Sequence, residues 1–145
     1  KKAQSRGKLL DSRECAEIIS ETVANVRRSA PEKIHPATRT FQALRIAVNH
    51  ELDQLDKALS NAPALLSPSG TVVFISYHSL EDRRVKTAFK SWSKGCVCPA
   101  DFPKCVCGRK PEFTILTRKA VKPDQSEMIV NPRSRSARLR AAEKI

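Results

Sequence analysis

Thr71-Val72-Val73-Phe74-Ile75-Ser76-Tyr77-His78-Ser79-Leu80-Glu81-Asp82-Arg83 is the stretch that decides the fold. Thr71 to Tyr77 is β-branched and almost continuously apolar. That is the pattern of a strand buried on both faces, as in a parallel sheet covered by helices. From Leu80 the period changes, and Leu80, Val85, Ala88, Phe89 and Trp92 recur at helical spacing. A strand over 71–77 therefore hands over to a helix over 80–92 at His78-Ser79. In open α/β sheets, ligands bind in the crevice beyond the carboxyl ends of the strands. Tyr77, His78 and Ser79 stand at that point, and His78 brings a titratable ring to it. Ser79, Glu81 and Asp82 are equally well explained as the cap and first turn of the helix, where the dipole favours them.

Toward the C-terminus, the loop 95–108 holds Cys96-Val97-Cys98-Pro99 and, after five residues, Cys105-Val106-Cys107-Gly108. Four thiolates in two Cys-x-Cys pairs can supply a tetrahedral, structural zinc site. The spacing departs from the Cys-x-x-Cys knuckle, and a loop of reduced or adventitiously oxidised thiols fits the same residues. Residues 112–118 alternate and read as a second strand, 123–132 as a polar loop, and 136–143 as a last strand or a short helix. In Asn131-Pro132-Arg133-Ser134-Arg135-Ser136-Ala137-Arg138-Leu139-Arg140 the arginines alternate with small or apolar residues. On a strand they would share one face and suit phosphate oxygens, or simply keep an edge charged.

Toward the N-terminus, Pro63, Pro68 and Gly70 mark a break. Before it, Phe41, Leu44, Val48, Leu52, Leu55 and Leu59 recur at steps of three and four, predicting one helix over 38–61. His35-Pro36-Ala37-Thr38-Arg39-Thr40-Phe41-Gln42-Ala43-Leu44-Arg45 forms its entrance. Exposed N–H groups there welcome phosphate, and Arg39 and Arg45 add donors; a capped helix with two solvated arginines accounts for the same residues. An earlier helix starts at Asp11, with Glu14 in capping-box position, and carries Cys15, Ile18, Ile19, Thr22, Val23 and Val26 to about Arg28. A basic leader occupies 1–10.

The 145 residues carry 27 Lys plus Arg against 15 Asp plus Glu. Residues 1–82 hold 11 basic and 10 acidic side chains, and residues 83–145 hold 16 and 5, so nearly all of the +12 lies in the second part. Such a field draws polyanions, nucleic acid above all. No apolar run reaches the roughly 18 residues of a membrane span, and no secretory pattern opens the chain. The expected setting is therefore the cytoplasm, without a membrane partner. There is no Gly-x-Gly-x-x-Gly and no Walker loop, and the chain has 4 glycines in all. The expected architecture is α/β with a helical part in front, the end of a nucleotide-type fold lacking its glycine turn.

His35–Val48, Val73–Lys86, Asn131–Glu143 and the loop Cys96–Gly108 with its following Lys-Pro-Glu together resemble the MraW/RsmH family. These are S-adenosylmethionine-dependent methyltransferases acting on cytosine N4 of small-subunit ribosomal RNA. The resemblance covers essentially the whole chain but only the C-terminal half or so of a family member. It implies the C-terminal part of a class I (Rossmann-like) methyltransferase sheet, with residues 1–62 in a helical insertion domain that recognises RNA and 63–145 in the methyltransferase domain. The last two strands would form an antiparallel pair. The resemblance further implies that Ser76, Tyr77, His78 and Ser79 lie near the target base. His35, Arg39, Gln42, Arg45, Arg83, Arg133, Arg135 and Arg138 would hold RNA; the zinc reading of Cys96, Cys98, Cys105 and Cys107 rests on their spacing alone. The family's glycine-bearing cofactor loop and its acidic ribose ligand have no counterpart here, so the expectation is a fragment that is inactive alone. Two other expectations are a stand-alone basic RNA-binding module with a zinc loop, and a structural or partner-binding remnant without RNA affinity.

Overall fold

A computed structural model describes residues 11–26, 35–96, 98–99, 103–104 and 106–145. The chain divides into two compact units, Lys1–Glu51 and Leu52–Ile145, at a point ahead of the 62/63 boundary drawn from the sequence.

In the first unit, α1 spans Ser12–Val26. Asp11 caps it, its Oδ1 accepting from the N–H of Glu14 at 2.9 Å, and Ile18 is buried on its apolar side. The leader over 1–10 and the basic end at Arg27 and Arg28 lie outside the described residues. Helix α2 spans Thr38–Asn49. It does not run on to residue 61 as the apolar repeat predicts. His50 adopts a left-handed conformation, φ 52° and ψ 35°, and its N–H donates to the carbonyl of Ile46. This is an αL cap made by a non-glycine residue. Glu51 receives Arg45 through Nε and Nη2 at 2.8 and 3.2 Å.

Helix α3 then spans Glu51–Leu65 and contains Pro63 without stopping at it. Proline removes one N–H, but near a C-terminus the harder requirement is to satisfy the last carbonyls. Lys144 does this, its Nζ donating to the carbonyls of Pro63 and Leu66, both at 2.7 Å. An ammonium there also suits the negative helix end.

The second unit continues with β1 (Thr71–Ser76), α4 (Ser79–Lys94), β2 (Phe113–Ile115), α5 (Gln125–Val130), a 3-10 turn (Pro132–Ser136) and β3 (Arg138–Lys144). The result is a mixed α/β chain with a small sheet ordered β1-β3-β2. Both pairings are antiparallel, with Thr71 opposite Glu143, Ser76 opposite Arg138, and Phe113 opposite Lys144. The paired last two strands agree with the sequence reading. Its doubly buried parallel strand does not: β1 lies at the sheet edge, its residues alternate between exposed and partly buried up to buried Ser76, and its one strand neighbour among the described residues is antiparallel. Continuous apolarity does not by itself show that both faces are covered.

The second predicted strand is shortened for a different reason. Leu116 and Thr117 both donate their N–H to the carbonyl of Ala141, at 3.0 and 3.3 Å. Two residues facing one make a bulge that bends the strand away, and pairing returns only at Val121, bridged to Leu139. Within the predicted polar loop, Asp124 caps α5 by accepting from the N–H of Glu127 at 2.7 Å. The last strand starts at Arg138 rather than 136, because Pro132 at the helical start favours a turn through Ser136.

One face of the sheet carries the core. Leu59, Val85, Phe89, Phe113 and Ala142 are buried together, with Leu55, Val72, Phe74, Trp92 and Ile115 against them. Phe74, Phe89, Trp92 and Phe113 form a run of ring contacts with centroids 6.1, 5.2 and 4.8 Å apart. Edge-on and tilted pairs at these distances add to the stabilisation from burial alone.

Candidate functional site

The exit of β1 is organised by a reciprocal cap. His78 is the N-cap of α4: its Nδ1 accepts from the N–H of Glu81 at 3.3 Å. Glu81 reaches back, and its Oε2 accepts from the N–H of Tyr77 at 2.8 Å and of His78 at 3.2 Å. This is a capping box in which imidazole replaces the usual hydroxyl. With Nδ1 accepting, the hydrogen-bond network assigns the proton of a neutral ring to Nε2. The side chain is 9% exposed, and Nε2 lies 3.2 Å from Glu81 Oε1. It is buried with no hydrogen-bond partner among the described residues. The geometry makes His78 the brace of the turn.

Around it is a polar pocket of about 280 Å³ lined by Tyr77, His78, Ser79, Lys122, Arg135, Ser136, Ala137 and Arg138. The positive end of α4 opens near it, and three cations share its wall, a setting for phosphate. Tyr77 and Ser79 are exposed, whereas Ser76 is buried, its hydroxyl donating to the carbonyl of Arg138 at 3.3 Å.

A second network holds Arg138, one of the pocket's lining residues. Asp82 is buried and receives Arg140 as a fork, Nε to Oδ1 at 2.7 Å and Nη2 to Oδ2 at 3.2 Å. Arg138 adds Nη1 to Oδ2 at 3.1 Å. Arg140's hydrogen bonds, against the opposing effect of burial and aided by Arg138, hold the Asp82 carboxyl below the ordinary carboxylate range. The sequence reading gave Asp82 only a place in the first turn. Its partners stand on β3, far along the chain, and no local pattern marks them.

The arginines expected on one strand face are divided. Arg133 and Arg135 stand exposed on the 3-10 turn, and only Arg135 of the two lines the pocket. Arg138 lines it too while held on Asp82. Arg83 lies elsewhere, in a groove of about 460 Å³ with Asp56, Leu59, Ser60 and Trp92, next to the Arg84–Asp56 ion pair. Lys122, which sequence reasoning missed, joins the pocket because the bridge at Val121 draws its loop onto β3.

In the first unit, His35 serves the turn into α2, its Nδ1 accepting from the N–H of Ala37 at 3.2 Å. Arg39, Gln42 and Arg45 follow at steps of three along α2, which places them on one side of the helix. Arg45 is engaged with Glu51.

The described glycines each serve a local turn or loop. A Cβ at Gly70 would lie 2.7 Å from the Ser67 carbonyl oxygen, so Gly70 serves the turn into β1; Gly95 ends α4, and Gly108 faces open space. None follows the carboxyl end of a strand, where a nucleotide loop belongs. Cys96, Cys98 and Cys107 have sulfur atoms within 4.8 Å of one another, and Cys105 lies outside the described residues. No described helix is long and apolar enough to cross a membrane.

The sequence pattern of the MraW methylase family matches residues 1–145. Among curated proteins, "Ribosomal RNA small subunit methyltransferase H" of Anaeromyxobacter sp. (strain K) is 52% identical over 136 residues, 94% of this chain and 43% of the relative. The protein of the same name from Geobacter sulfurreducens is 50% identical over 144 residues, 99% of this chain and 46% of its own. That of Geotalea uraniireducens is 58% identical over 113 residues, 78% of this chain and 36% of its own. The chain thus spans less than half the length of these relatives.

Proposed function

This chain belongs to the MraW methylase family, and from that membership we propose that it is the RNA-holding part of an enzyme that methylates cytosine N4 in small-subunit ribosomal RNA. On this reading it forms the C-terminal part of a class I methyltransferase sheet. The methyl donor is S-adenosylmethionine, bound by residues outside this chain, and the chain alone is inactive. The proposed setting is the cytoplasm, where thiols stay reduced.

The observation that carries this reading is the pocket at the exit of β1, where Lys122, Arg135 and Arg138 meet Tyr77, His78 and Ser79. Methylating a base nitrogen is mainly a positioning task. Lys122 and Arg135 grip backbone phosphate, Tyr77 and Ser79 face the nucleotide, and His78 with Glu81 holds their backbone in place. Arg39, Gln42 and Arg45 offer a further strip for RNA in the first unit, with Arg133 exposed beside the pocket-lining turn.

Two measurements test the proposal. RNA binding by the chain should weaken steeply with salt, and Lys122→Ala with Arg135→Ala should lower the log–log slope by about 0.7 to 0.9 per lost contact. Labelled S-adenosylmethionine should not bind the chain alone, and methyl transfer should return when the missing part of a family member is supplied. Salt-sensitive RNA binding without any restored transfer would favour a stand-alone RNA-binding module and overturn the enzymatic reading.

A further inference from the structure

We propose that Cys96, Cys98 and Cys107 hold a structural zinc ion that staples the loop joining α4 to β2. The loop's ends are already fixed. The N–H of Glu112 donates to the carbonyl of Trp92 at 2.9 Å. Gly95, at φ 59°, comes so close to the other end that a Cβ on it would lie 2.6 Å from the nitrogen of Pro111. Between these closures no described side chain of the loop belongs to the buried core. Its interior needs another source of order.

The three sulfur atoms supply one. Cys96 Sγ and Cys107 Sγ stand 3.8 Å apart, and all three lie within 4.8 Å of one another. A disulfide needs about 2.05 Å. A tetrahedral Zn²⁺ with Zn–S bonds of about 2.3 Å sets sulfur–sulfur edges of about 3.8 Å. The separation therefore has the size of one edge of a zinc–thiolate tetrahedron. Soft thiolates select zinc over magnesium or calcium.

The site lies apart from the pocket at His78 and does not depend on the methylation reading. Binding turns thiols into thiolates and releases protons, so zinc affinity falls as pH is lowered. The held loop presents Lys104, Arg109 and Lys110, all exposed, in one fixed arrangement.

The test uses the 145-residue chain purified under reducing conditions, with zinc counted by native mass spectrometry and metal emission. One zinc per chain is expected, and substitution by Co²⁺ should give thiolate charge-transfer and tetrahedral d–d bands. Cys96→Ser, Cys98→Ser and Cys107→Ser should each weaken zinc by about 100-fold or more, beyond the 10- to 100-fold of an outer-shell change. Cys15→Ser should leave it unchanged. Chelation should speed tryptic cleavage after Lys104 and Arg109 while the circular dichroism of the helices persists. A chain that stays metal-free with zinc in excess, or whose cleavage ignores zinc, overturns the proposal. So does a Cys96–Cys107 disulfide formed under reducing conditions.

Discussion

The two faces of the three-stranded sheet have similar chemistry and opposite fates. On one, Val72 and Phe74 of β1 meet Ala142 of β3 and Phe113 of β2 beneath α4. On the other, Val73 opposes Ala141 and Ile75 opposes Leu139, yet Val73 is 51% and Ile75 56% exposed. Among the described residues, α4 packs on the first face and leaves Val73 and Ile75 of the second exposed. An apolar side chain stabilises only where something removes it from water, so the covered face bears the stability of this unit.

The largest effect should come from the covered face. Phe89→Ala removes the ring touching both Phe74 and Trp92 and should cost about 4 kcal/mol, read as a lower urea midpoint. Asp82→Asn comes next, at about 3 kcal/mol, since it strands the buried guanidinium of Arg140. The wild-type pair also sets an acid limit. Because the folded carboxyl titrates below its unfolded value, the unfolded chain binds more protons as pH drops. The pair's stabilisation is full above about pH 5 and disappears as pH falls through the folded value. Asp82→Asn should flatten that part of the stability–pH curve; an unchanged curve would remove Asp82 as its cause.

Gly95→Ala should cost about 2 kcal/mol, because positive φ and the approach of Pro111 both oppose a methyl group. Least of all, Ile75→Thr on the uncovered face should stay within about 0.5 kcal/mol in this chain. The same substitution should matter far more once the missing part of a family member is bound. Equal small effects in both settings would show that nothing covers this face.

What could be read from sequence followed the range of the interaction. The step from β1 to α4 was legible because strand period and helix period are local, but the cap was misplaced: His78, not the expected Ser79, is the N-cap. The turn at His50 was not, since the apolar repeat runs straight through it and a left-handed histidine leaves no glycine or proline signal. The bulge at Leu116 and Thr117 depends on one carbonyl of β3, and no alternation pattern records it. Of the candidate site, the pocket's Tyr77, His78 and Ser79 were placed by their strand end. The division of the arginines was not legible, because Arg140 meets an acid 58 positions away while Pro132 turns Arg133 and Arg135 out of the strand.

The sheet's order also governs when it can exist. Its middle strand, β3, is translated after both outer strands, so the ladder partner that β1 and β2 share among the described residues comes only when residues 138–144 leave the ribosome. The Ser76 hydroxyl must then find a carbonyl 62 residues downstream. Closing such long loops late makes assembly slow relative to the helices, which form from neighbours alone. During synthesis, this protein carries two apolar ribbons awaiting the one that joins them, the interval in which a chaperone would find them.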